Sequence, residues 1–100
     1  MRIISTKRLK NFWGNPKYSD SEKYLREWID FVKVAEWNNS NEVLEDYPSA
    51  DNVGNKRIVF NIKGNKYRLI VMFLYHKQLA YIRFIDTHKE YDKITDIKSI

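Results

Sequence analysis

One hundred residues, 43% of them hydrophobic and 15% aromatic, suit one domain with a single packed core. No apolar run approaches the roughly 20 residues that span a bilayer, and the absence of cysteine excludes disulfides, thiol nucleophiles and cysteine-rich zinc sites. The net charge of +5 is unevenly spread: residues 1–53 carry eight basic and nine acidic side chains, residues 54–100 ten and four, so the second half is the one that attracts a polyanion.

In chain order, Arg2 to Ile4 reads as a short strand, and nothing in the opening Met1-Arg2-Ile3-Ile4-Ser5 resembles a leader, which fits a cytoplasmic protein. Ser5 or Thr6 is expected to cap a helix that reaches Trp13 and sets Leu9, Phe12 and Trp13 on one face. Gly14-Asn15-Pro16 breaks it. Ser19-Asp20-Ser21-Glu22 has the form of a capping box, and Leu25, Trp28, Ile29, Val32 and Ala35 follow at the spacing of a buried helical stripe. The helix is therefore expected over about residues 20–36. Trp28 and Trp37 belong to its core side rather than to a base-stacking surface.

The polar stretch Glu42 to Gly54 reads as a connector from helix to sheet. Ile58, Phe60 and Ile62 alternate with polar neighbours up to the hairpin turn Lys63-Gly64-Asn65. The strand from Tyr67 to Tyr75 is apolar on both faces in its second half, as in a central strand covered on both sides. His76-Lys77-Gln78 turns the chain into a third strand, Leu79 to Asp86, and residues 88–94 allow one helical turn. The fold class is α+β: two N-terminal helices packed on a small antiparallel sheet, with a short C-terminal helical turn.

Chemistry concentrates in Arg83-Phe84-Ile85-Asp86-Thr87-His88-Lys89-Glu90-Tyr91-Asp92-Lys93, where basic groups, a histidine, a tyrosine and carboxylates follow the end of a strand. Their joint use is proton transfer and phosphate binding. On a helical turn His88 lies one turn from Tyr91 and Asp92, either of which orients the imidazole. Arg68, in a mostly apolar strand, is either paired with a carboxylate such as Asp86 or Asp92 or directed into an open groove. If the neighbouring strand brings Arg83 beside it, two guanidinium forks face one phosphate. His76 reads as an exposed turn residue, and Tyr67 and Tyr81 as sheet packing.

The run Arg57-Ile58-Val59-Phe60-Asn61-Ile62-Lys63-Gly64-Asn65-Lys66-Tyr67-Arg68-Leu69-Ile70 resembles the hairpin of HigB toxins. Tyr81-Ile82-Arg83-Phe84-Ile85-Asp86-Thr87-His88-Lys89-Glu90-Tyr91-Asp92-Lys93-Ile94 resembles their C-terminal signature, and Ile3-Ile4-Ser5 through Leu9-Lys10 their opening. The resemblance implies a RelE-like fold and the toxin half of a type II toxin–antitoxin pair. Such toxins cleave mRNA on the translating ribosome, in the 70S A site, without metal or other cofactor. The implied partner is a HigA-like helix-turn-helix antitoxin, which would carry all contact with operator DNA; no membrane is involved. Arg68, Arg83 and Lys93 are then expected to hold phosphate and His88 to act as general base or acid. Tyr91 would be the second proton donor or a stacking group, Asp92 an orienting group, and Lys56, Arg57, Lys66 and Lys89 RNA contacts. The alternatives are a non-catalytic RNA- or ribosome-binding module and a toxin directed at gyrase.

Overall fold

A computed structural model describes residues 1–100. The elements are β1 (Arg2–Ile4), α1 (Thr6–Gly14), a 3₁₀ segment (Pro16–Ser21), α2 (Glu22–Val34), α3 (Ser40–Asp46), β2 (Asp51–Gly54), β3 (Arg57–Ile62), β4 (Tyr67–Leu74), a 3₁₀ turn (Tyr75–Lys77), β5 (Leu79–Thr87) and α4 (His88–Tyr91). The five strands form one sheet in the order β1-β5-β4-β3-β2.

The α+β class stands, with α1 and α2 on the sheet and a short helical turn at its C-terminal end. The sheet, however, is mixed rather than antiparallel. The meander β3-β4-β5 is antiparallel as expected, but β1 lies parallel to β5, with Ile3 opposite Ala80. Three residues carry no signal for the direction in which they pair, so only the tertiary fold fixes it. β4 is the central strand, consistent with its two apolar faces.

Two helices start where expected but without the expected side-chain caps. Ser5 precedes α1 at φ 74° and its side chain caps nothing. Ser19-Asp20-Ser21-Glu22 is not a capping box, because Pro16 starts a 3₁₀ segment that runs directly into α2. Within it the Ser19 and Ser21 hydroxyls donate back to the carbonyls of Pro16 and Tyr18, and neither side chain caps α2. A genuine Thr-x-x-Glu start lies elsewhere: Thr87 Oγ1 accepts from the Glu90 amide at 3.2 Å and opens α4.

The connector Glu42–Gly54 also carries more structure than its polarity announces. Asn39 Oδ1 accepts from the Glu42 amide and starts α3, and Asp51–Gly54 pairs antiparallel with β3. Val43 is the buried anchor of that segment.

One core lies between the helices and the sheet. Leu9, Leu25, Trp28 and Val32 of α1 and α2 meet Phe60, Leu69, Val71, Phe73, Ala80 and Ile82 of the strands. Trp28 and Trp37 are both buried. Val59 and Ile70 point to the opposite face, yet are 3% and 0% exposed. That face is crossed by the last residues of the chain. Asn55 Nδ2 donates to the Lys98 carbonyl at 2.7 Å, and Arg57 Nη2 and Arg83 Nε donate to that of Ile100 at 3.0 and 3.1 Å.

Candidate active site

The site begins with the hairpin between β3 and β4. Lys63 and Gly64 both take positive φ, 53° and 62°, which turns the chain tightly enough for the Asn65 side chain to reach back along β4. There Asn65 Oδ1 accepts from Arg68 Nη2 at 2.7 Å, and the Asn65 carbonyl from Nη1 at 3.3 Å. Arg68 is 9% exposed. It stands opposite Asp86 in the β4–β5 register, but the two form no ion pair: Asp86 Oδ1 accepts from the Thr87 amide at 2.7 Å instead. Of the two expectations for Arg68, a carboxylate partner is not the one realised. A guanidinium held by neutral groups keeps its full charge for an incoming anion.

The second half of the site is α4. The His88 amide donates to the Lys66 carbonyl at 3.0 Å, which pins the start of this turn to the same hairpin. One turn of helix then brings Asp92 Oδ2 to 2.8 Å from His88 Nδ1. With Nδ1 occupied, Nε2 is the nitrogen left to exchange a proton. The imidazole side chain is 40% exposed, so an outside ligand reaches it. Tyr91 lies edge-on to His88, ring centroids 6.4 Å apart, and its face is 5.7 Å from the Arg68 guanidinium carbon. Burial, followed by the negative charge of Asp51, raises the Tyr91 phenol above its ordinary value, with Arg68 opposing. The phenol is thus protonated at neutral pH, as a proton donor must be.

Arg68, His88, Tyr91 and Asp92 are therefore brought together. Lys93 is on the same turn, its ammonium 3.0 Å from Glu90 Oε1. Lys89 is exposed there and forms no ion pair. Arg83 is not beside Arg68. It is the extra residue in a register shift between Ile82 and Phe84, and it shares the Ile100 carbonyl with Arg57. Arg57 stands four residues along β3 from Asn61, the residue opposite Arg68, which is roughly 13 Å at the rise of a strand. Lys56 is exposed in the turn before it, at φ 65°. Lys66 turns to the helix side and pairs with Asp20.

Three supporting residues have no signal in the sequence strong enough to single them out. Asn65 reads as turn chemistry, Asp51 as part of an acidic connector, and Asp20 as part of a helix cap. Asp20 in fact gathers Lys63 Nζ at 2.9 Å, Lys66 Nζ, and the Tyr67 hydroxyl at 2.5 Å. The hydrogen bonds from Lys66, Tyr67 and Lys63 hold its carboxyl well below the usual carboxylate range. This cluster fixes the hairpin from the helix side, while Tyr67 itself is fully buried against Phe12 and Tyr18.

Comparison with known proteins agrees with the hairpin and C-terminal motifs. Residues 21–94 match the family model described as HigB_toxin, RelE-like toxic component of a toxin–antitoxin system. The mRNA interferase toxin HigB of Escherichia coli K12 is 31% identical over 99 residues, covering 97% of this chain and 93% of the relative. The mRNA interferase HigB of Shigella flexneri matches to the same extent. That of Escherichia coli O6:H1 is 27% identical over 81 residues, 79% of each chain. A family match over most of the chain, joined by a full-length relative above 30% identity, makes this chain a member of the HigB family of RelE-like toxins.

Proposed function

We propose that this chain is an endoribonuclease that cleaves mRNA through the RNA's own 2′-hydroxyl. His88 Nε2 removes the 2′-proton, and Tyr91, whose phenol stays protonated, donates to the leaving 5′-oxygen. The 2′-oxygen forms a bond to phosphorus as the bond to the 5′-oxygen breaks, leaving a 2′,3′-cyclic phosphate on one fragment and a 5′-hydroxyl on the other. Arg68 offers a fork of N–H donors to the non-bridging oxygens, where negative charge grows. Asp92 orients the imidazole, Lys93 adds a second phosphate contact by exchanging Glu90 for the phosphate, and no cofactor is required by this set of groups. The observation that carries the reading is the meeting of an uncompensated arginine, a carboxylate-held histidine and a protonated tyrosine at one end of the sheet.

Cleavage takes place on mRNA in the ribosomal A site, in this reading, with the ribosome bending the strand into line. Lys56 and Lys89 are free to contact its backbone. Arg57 and Lys66 are already engaged by Ile100 and Asp20, and Arg83 by Ile100, so their part requires those contacts to be exchanged for phosphate. The partner is a HigA-like antitoxin, through which alone operator DNA is contacted, and the setting is the cytoplasm. The names of the relatives support the activity.

The test is the chemistry of the ends. Purified protein, with programmed ribosomes, is expected to yield fragments with 2′,3′-cyclic phosphate and 5′-hydroxyl termini. Fragments with 5′-phosphate would contradict attack by the 2′-oxygen.

A further inference from the structure

The large apolar residues that stay exposed, Tyr24, Phe31 and Val34, all lie on α2, at 38, 44 and 81% exposure. At 100° per residue they fall within one stripe of that helix, directed away from the sheet face that carries Arg68. Phe31 is propped by Trp37 and Tyr47, ring centroids 6.2 and 5.3 Å away. Beside it runs a cleft whose charged lining residues are Glu36, Glu42, Glu45 and Asp46. No lysine or arginine pairs with any of these four carboxylates. In a chain of net charge +5, this is a localised negative field along an apolar ridge.

We infer that this α2–α3 surface is where the antitoxin docks, through an amphipathic segment whose apolar row covers Tyr24, Phe31 and Val34 and whose flanking lysines or arginines meet the four carboxylates. The inference rests on the partner named under the proposed function. The sign of the charge repels RNA, so the face is kept for protein, and the exposed apolar residues supply the buried centre of an interface while the carboxylates supply a complementary rim. The docked partner sits on the side of the molecule away from His88 and Arg68.

Titration calorimetry of the purified antitoxin of the same operon tests this against wild type, Val34→Glu, Glu42→Lys/Glu45→Lys and Arg68→Ala. Val34 is so exposed that its substitution leaves the fold intact, which circular dichroism checks. The expected result is binding at least tenfold weaker for Val34→Glu and for the charge-reversal variant, and unchanged for Arg68→Ala. Binding by wild type that persists undiminished in the first two variants overturns the docking surface and leaves the partner assignment standing. Failure of wild type to bind overturns both. A dimer of the toxin alone in sedimentation, lost in Val34→Glu, overturns it in favour of a second copy as the occupant.

Discussion

The Arg68 guanidinium carbon lies 5.7 Å from the centroid of the Tyr91 ring, joining the start of the central strand to the short helix α4. The contact does two things at once. It holds the arginine over an aromatic face rather than against a carboxylate, and it sets a phenol beside the groups that exchange protons. In the proposed mechanism a strand residue and a helix residue thereby act on one phosphate.

Arg68→Ala removes both donors to Asn65 and the positive charge. RNA cleavage is expected to fall about 10²- to 10³-fold, the cost of losing one donor to a developing oxyanion. Arg68→Lys is expected to recover only part of this, since an ammonium cannot present two parallel N–H groups. Single-turnover rates on programmed ribosomes measure both.

His88→Ala is expected to lower the cleavage rate by about 10²- to 10⁴-fold, the range for a positioned acid or base. Asp92→Asn keeps the size of the side chain but loses its charge 2.8 Å from Nδ1. Its loss is expected to be smaller, and to come with an altered pH–rate profile that a purely structural role would not produce. Tyr91→Phe keeps the ring over Arg68 and removes only the hydroxyl, so it is expected to lower the rate without unfolding the site.

Asp20 tests the support of the hairpin. Its carboxyl is depressed in the fold, so the stability it contributes is present above its ordinary value of 3.8 and is lost as pH falls through the lower folded value. Urea unfolding is expected to show Asp20→Asn less stable than wild type at pH 7, with the two curves drawing together in strong acid. A constant difference at every pH would mean that the carboxylate's charge is not what matters.

Ile70 lies on the face away from the helices and is fully buried. If the residues around Lys98 and Ile100 cover it, Ile70→Ala is expected to cost about 2–5 kcal/mol, as in any tight core. Chemical denaturation measures this directly, and a loss below about 1 kcal/mol, as at a surface position, would contradict the covering.

What the sequence made legible follows from where period and chemistry act locally. The stripe of Leu25, Trp28 and Val32 and the alternation from Ile58 to Phe73 each need only their own element, and both are realised. The grouping of His88, Tyr91 and Asp92 is also local, being one helical turn. The pairing of β1 with β5, the tie of Arg83 to Ile100 and the grip of Asp20 on Lys66 join distant segments, and no periodicity encodes them. The capping motif shows the same limit. Ser19–Glu22 and Thr87–Glu90 have the same form, and only the proline at 16, which starts a 3₁₀ segment ahead of the first, separates them.

Whether the α4 groups cut RNA is decided most directly by mapping mRNA 5′ ends in cells expressing the intact protein or the His88→Ala/Tyr91→Ala variant. The expected result is new 5′ ends within translated codons for the intact protein and none for the variant. Equal cutting by both, or growth arrest by the intact protein without new ends, would contradict it.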